Sequence, residues 1–265
     1  MEQVIGAALE WNETRQYVVE SGGRLKAGLR AQFWNAHRHR LNNSLLLCQQ
    51  AMELDLKARI ATIDPFLLLV GKAAANLRQK GGNFLEAPTV GARELPAEVA
   101  RICKGALDTA YVNLFHKMRV ERNRIAHLHG CNFPAETRQR LEDLLSVFEV
   151  IHAGKSWQTF CRTSMVAGGK DGPATYGDDD WTFSHWLRKF EAALDLLDVD
   201  GAKRHFGFDK RRLQCPSCSS ERARHDEEIR NYAQLQAGGS IACAACLAVY
   251  PSRDAYEQEG GDWDE

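Results

Sequence analysis

The sequence predicts a mainly α protein, a helical body followed by a small cysteine module, and three observations carry that expectation. Apolar residues recur at spacings of three, four and seven through most of the first two thirds of the chain. Gly-Gly and proline punctuate those stretches. Four of the eight cysteines form two Cys-x-x-Cys pairs in the last fifty residues or so.

Taken in order, residues 1–23 form an N-terminal segment to which no element is assigned. Residues 24–63 carry Leu25, Leu29, Phe33, Leu41, Leu45, Met52, Leu56 and Ile60 at helical spacing. Asp64-Pro65 ends that pattern and opens a new helix, because proline suits a first helical position behind an Asp cap. That helix runs to about residue 79, where Gly81-Gly82 stops it, and residues 83–96 form a loop. A third helix is expected over residues 97–118, a fourth from near Arg122, and a fifth over residues 134–151. Glycine-rich and acidic sequence then gives a loop-rich stretch. An amphipathic helix follows over residues 181–197, capped by Thr182 or Ser184. The chain divides on this reading into the N-terminal segment 1–23, a helical domain 24–160, a linker with its amphipathic helix 161–210, a cysteine module 211–254 and an acidic tail 255–265.

Composition narrows the function classes. With 265 residues, 44% hydrophobic and 26% charged, the chain can bury a proper core and is not intrinsically disordered. Its longest apolar run, residues 65–70, is far too short to span a bilayer, and Met1-Glu2-Gln3 is no signal-peptide start. A cytoplasmic protein without membrane contact is expected. Net charge is −1 from 34 basic and 35 acidic residues, so the whole-chain balance names no partner. Charge is nevertheless segregated. Arg24, Lys26, Arg30, Arg38 and Arg40 come with no acid among them, and Arg119, Arg122 and Arg124 meet a single Glu121. Such stretches are either solvated helix faces or grips for phosphate. Residues 203–212 are basic with Phe206 and Phe208 interleaved.

Cys215-Pro216-Ser217-Cys218 and Cys243-Ala244-Ala245-Cys246 are separated by 24 residues. Each pair presents two thiolates to one ion, and together they complete a tetrahedral four-sulfur zinc site. The short turns around them suit the paired hairpins of a zinc ribbon, with residues 221–228 as an exposed insertion. Four thiolates leave no open position for water, so the zinc is structural. The ribbon either grips nucleic acid through Lys210, Arg211 and Arg212 or docks a protein. Cys48, Cys103, Cys131 and Cys161 stand singly and read as buried thiols.

The most informative stretch is Arg119-Val120-Glu121-Arg122-Asn123-Arg124-Ile125-Ala126-His127-Leu128-His129-Gly130. Asn123 and His127 are four apart and share a helix face, so Asn123 can orient the imidazole or a bound sugar. Arg122 and His127 are five apart, about 140° around an ideal helix. Arg122 then belongs to a frayed helix start or to a site shared with a second subunit. His129, seven from Arg122, falls on the same face as that arginine.

Arg122-Asn123-Arg124-Ile125-Ala126-His127 resembles the signature of the HEPN superfamily, an arginine followed by a histidine four to six positions beyond, and His129 satisfies the longer form of the same signature. The resemblance maps onto residues 24–152. It implies a HEPN-like helical bundle, a homodimer with a shared site, and a metal-independent endoribonuclease of a toxin–antitoxin or antiviral-defence system. Its partners would be RNA and an antitoxin or other defence-system protein. In that chemistry His127, or His129, takes the 2′-hydroxyl proton and Arg122 holds the phosphate as charge builds. A non-catalytic nucleic-acid- or protein-binding adaptor is the alternative, and nucleotide sensing or transfer is a third role for the same Arg/His pair.

Overall fold

A computed structural model describes residues 2–103, 107–127, 137–152, 155–160, 179–207, 213–223 and 231–262. These residues are mainly helical, with one small three-stranded antiparallel sheet near the C-terminus. They divide into two compact units. One comprises residues 1–41 with 135–265, the other residues 42–134. The expected helical domain 24–160 runs across that division.

The discontinuous unit begins with α1, Glu2–Glu20, a helix in the segment to which no element had been assigned. Val4, Ile5, Ala8 and Trp11 form its buried stripe, three or four residues apart as a helix face requires. α1 packs along α8, Asp179–Leu196, where Asn12 Nδ2 donates to Asp195 Oδ2 at 3.0 Å and Arg188 pairs with Glu13 at 2.6 Å. α2, Leu29–Ala36, starts only after Gly28, whose φ of 84° suits glycine. Helix α8 is already formed at Asp179, so Thr182 and Ser184 lie inside it rather than at its cap. α7, Thr137–Ile151, and α9, Val199–Phe206, complete the helical part. Asp198 caps α9 by accepting from Gly201 N at 2.8 Å.

Aromatic side chains fill the core of this unit. Phe190 lies 5.1 Å from Phe206 and 5.7 Å from both Trp186 and Tyr232, and Trp157 lies 5.1 Å from Trp186. Phe206, expected as part of a basic and aromatic interleaved surface, is therefore core. Beside it His205 is buried and pairs through Nδ1 with Glu149 at 2.8 Å.

The cysteine module belongs to this same unit. The first Cys pair leads into α10, Pro216–Ala223, not into a hairpin. The second sits at the turn between β2, Ile241–Cys243, and β3, Val249–Tyr250, with β1, Ala233–Leu235, on the other side of β2. Leu235 opposes Ile241, and Ile241 opposes Tyr250. The acidic C-terminal stretch opens with α11, Arg253–Gln258, capped by Ser252. Fully buried Tyr256 anchors it by donating to the Gln214 carbonyl.

The second unit holds α3 from residue 42 on, α4, α5 and α6. α3 is Arg38–Ala61. Asp64 caps only a 3-10 turn, Pro65–Leu68, accepting from Phe66 N at 2.8 Å. The expected helix to residue 79 is then interrupted, because Leu69 bridges to Thr89 and Gly71 turns the chain before α4, Ala73–Lys80. The helix expected over 97–118 is likewise two, α5, Leu95–Ile102, and α6, Thr109–His127. Asp108 marks the second start by accepting from Ala110 N at 3.0 Å. Met52, Leu56, Ile60, Leu95, Val99, Phe115 and Met118 form the core. Tyr111 ties α6 to α3 by donating to Asp55 Oδ2 at 2.9 Å, with Arg59 over its ring. No helix among the described residues is long and apolar enough to cross a membrane.

Candidate functional site

The four-cysteine cluster is assembled by three elements that each fix a sulfur for a local reason. Cys215 precedes α10 and Cys218 lies in its first turn, which gathers the two across one helical turn. Cys243 ends β2, and the chain then reverses so that Cys246 returns beneath it. Leu247 adopts φ 62° to make that reversal, and Cys246 N and Ala248 N point at Cys243 Sγ and Cys246 Sγ at 3.5 and 3.4 Å.

All four sulfurs are buried and lie within 4.8 Å of one another. Cys215 Sγ is 3.5 Å from Cys246 Sγ, and Cys218 Sγ is 3.7 Å from Cys243 Sγ. A disulfide requires about 2.05 Å, whereas thiolates 2.3 Å from a tetrahedral ion stand about 3.8 Å apart. The geometry therefore excludes disulfides and can bind a metal ion. Hydrogen bonds from the neighbouring sulfurs hold Cys215 low, and those same contacts with burial push Cys218 and Cys243 up. All four could be thiolates together only with a cation between them. Burial also pushes the Tyr250 hydroxyl up, so it stays protonated and donates to Cys215 Sγ at 3.5 Å. Ser217 holds that hydroxyl at 3.1 Å. Such outer support is typical of metal ligands, and Tyr250 was not singled out in the sequence.

The helical motif falls in the other unit. Arg122, Asn123 and His127 all lie on α6, which is unbroken from Thr109 to His127. Arg122 thus sits well inside the helix, not at the start of a fourth one, and His127 is the last of its described residues. Arg122 and His127 are exposed and Asn123 is half-buried. Arg122 Nη1 donates to Asn123 Oδ1 at 3.0 Å, and Arg124 pairs with Glu121 at 2.8 Å. Arg119, three residues before Arg122, has its Nε buried with no hydrogen-bond partner among the described residues. Glu53 on α3 feels the charge of Arg122. Burial disfavours its carboxylate, but hydrogen bonds from Lys57 and Gln49 with the charges of Lys57 and Arg122 hold it below the usual carboxylate range.

His129, Lys210, Arg211, Arg212, Cys131, Cys161 and most of the expected 161–210 linker's first half lie outside the described residues. Neither Cys48 nor Cys103 forms a disulfide among the described residues, and both are half-buried rather than fully enclosed. Comparison with protein-family models, with curated proteins and with solved structures finds no match.

Proposed function

We propose that the chain is a metal-independent endoribonuclease with a HEPN-like helical body, and that zinc held by Cys215, Cys218, Cys243 and Cys246 is its structural cofactor. The observation that carries the catalytic part is the exposed Arg122 guanidinium tethered to Asn123, one helical turn before His127. His127 is the base in this reading. It removes the 2′-hydroxyl proton, the 2′-oxygen attacks the adjacent phosphorus, and the bond to the 5′-oxygen breaks. The products are a 2′,3′-cyclic phosphate and a 5′-hydroxyl. Arg122 holds the phosphate oxygens as negative charge develops, and Asn123 limits the freedom of that guanidinium.

Because α6 is continuous through Arg122, that residue and His127 diverge by about 140° on one copy of the helix. This supports a homodimeric site in which one copy supplies the arginine and the other the histidine. RNA is the substrate, and a toxin or defence-effector role, with a matching antitoxin or partner protein in the cytoplasm, follows from the same resemblance.

The test is cleavage of single-stranded RNA by the full chain in EDTA over short times. Cyclic-phosphate ends are expected, with turnover lost in Arg122→Ala and His127→Ala and retained in His129→Ala. Exchange of the last two outcomes would move the base to His129. Full activity in all three variants would sink the reading, and salt-sensitive binding without turnover would favour a non-catalytic adaptor.

A further inference from the structure

A concavity of about 280 Å³ opens between α1 and the turn leading into α2, lined by Trp11, Arg15, Leu25, Lys26, Leu29 and Arg30, with Gly28 at its edge. All of these residues belong to the discontinuous unit, whereas Arg122, Asn123 and His127 belong to the other. The lining is divided by chemistry. Arg15, Lys26 and Arg30 supply three cations and no lining residue is acidic, while Trp11, Leu25 and Leu29 supply an apolar wall.

The three cations have no ionic or hydrogen-bonding side-chain partner among the described residues. Their neighbours explain why. Glu10 is taken by Arg40 at 2.5 Å and His37 at 3.1 Å, Glu13 by Arg188 at 2.6 Å, and Glu20 by Gln16 at 2.7 Å. Glu10 and Glu13 of α1 are thus committed to other cations, and Glu20 is held by the neutral amide of Gln16. The adjoining start of α2 adds to the positive field, since Gly28 offers no side-chain cap and the first turn holds no acid. Like charges gathered around one concavity without counter-ions repel one another, and an anion bound among them relieves that repulsion.

We infer that this concavity binds a nucleoside diphosphate, with Arg15, Lys26 and Arg30 on the phosphates and the base against Trp11, Leu25 and Leu29. Two phosphates bring about three negative charges at neutral pH, matching the three cations. A volume of about 280 Å³ falls just below the roughly 300–1,000 Å³ typical of small-ligand sites. That suits one nucleotide better than a strand. The apolar wall gives a reason to prefer a nucleotide over a bare inorganic anion.

The experiment is calorimetric titration of the full-length protein with ADP, pyrophosphate and adenosine as probes, at low and physiological salt. ADP should bind one per chain, weaken with salt, and exceed pyrophosphate by roughly tenfold, the ratio expected from burying a base face. Adenosine should not bind measurably. The triple variant Arg15→Gln/Lys26→Gln/Arg30→Gln, with all three positions exposed and therefore tolerant, should lose ADP binding by more than about tenfold. Arg204→Gln, an exposed arginine outside the concavity, should leave binding unchanged. Pyrophosphate binding as tightly as ADP would overturn the inference by removing any role for the apolar wall. So would unaltered ADP binding in the triple variant, or no ADP binding at millimolar concentration. A 5′-phosphorylated RNA that binds through these residues where ADP does not would assign the surface to nucleic acid instead. None of these outcomes depends on RNA cleavage by Arg122 and His127.

Discussion

The indole Nε1 of Trp186 donates to the carbonyl of Ala245 at 2.9 Å, and both residues are buried. Ala245 lies between Cys243 and Cys246, so the turn that presents two of the four sulfurs is fastened to the aromatic core of α8. Phe190 reinforces the joint by packing edge-on against Tyr232 at 5.7 Å, and Tyr232 in turn donates to Glu191. The cysteine module is thereby part of its unit and not a tethered appendage.

Trp186→Phe keeps most of the ring and removes the donor. The Ala245 carbonyl is then buried without its partner, a cost of about 1–3 kcal/mol. Denaturant unfolding should report that loss, and a chelating dye should extract zinc faster from the variant than from the parent. Equal extraction rates would show that the indole does not steady the metal turn.

Zinc removal should spread beyond the cysteines. Cys215→Ser is expected to retain less than one zinc per chain and to lose the near-ultraviolet signal of the Trp157, Trp186 and Phe190 cluster. Its unfolding temperature should fall by roughly 10 °C, as for a loss of several kcal/mol in a chain of this size. An unchanged near-ultraviolet spectrum in the metal-free variant would mean that the module melts alone.

Leu247 holds a φ of 62°, a region that costs a residue with a Cβ about 1–2 kcal/mol. Leu247→Gly removes that strain and adds chain entropy to the unfolded state worth about 0.5–1 kcal/mol. The balance favours the glycine variant by up to about 1.5 kcal/mol. Thermal unfolding with zinc bound checks the sign, and a clear destabilisation would show that Leu247 contributes packing that outweighs its backbone strain.

Glu53 carries the pH prediction. Its carboxylate sits below the usual range in the folded protein, opposed by burial and held there by Lys57, Gln49 and the charge of Arg122. A carboxylate lowered on folding stabilises above its unfolded value, and the benefit is lost as pH falls through the folded one. Glu53→Gln should therefore destabilise at neutral pH by about 0.5 kcal/mol, the scale of a partly exposed pair, and the difference from the parent should shrink as pH falls past the ordinary glutamate value and close only below the lowered one. A gap that persists in acid would assign the effect to packing.

Legibility in the sequence followed the range of the forces involved. Helices α7 and α8 were readable because their apolar faces repeat locally, and the two Cys-x-x-Cys pairs because a four-sulfur site able to take a metal ion requires such spacing. Helix α1 was not assigned, although Val4, Ala8 and Trp11 stand at helical intervals. Gly6 and the charged Glu10 and Glu13 dilute the pattern, and much of the packing of the stripe comes from α8, far along the chain. The apolar period of Val99, Ile102 and Cys103 seemed to continue to Met118, so the break between α5 and α6 was missed despite Asp108, a helix-start residue. That misplacement also put Arg122 at a helix start instead of within α6. The link from Trp186 to Ala245 spans 59 positions and leaves no local trace. The cavity around Arg15, Lys26 and Arg30 was visible only in part, as a basic stretch, because Trp11 and Arg15 join it from another helix.

The discontinuity of the first unit has a consequence for synthesis. Residues 42–134 are complete in themselves as a compact unit, so they can fold while the rest is still being translated. Trp11 can pack on Phe33 early, but the contacts of α1 with α8 cannot form until α8 leaves the ribosome, more than 160 residues later. At about 5–20 residues per second that interval is roughly 10–30 seconds. During it the face of α1 that meets α8 is open to chaperones and to the same face on neighbouring nascent chains. Polar substitutions on that face would slow aggregation of the nascent chain yet weaken the finished protein, so yield in the cell and stability in the tube should move in opposite directions.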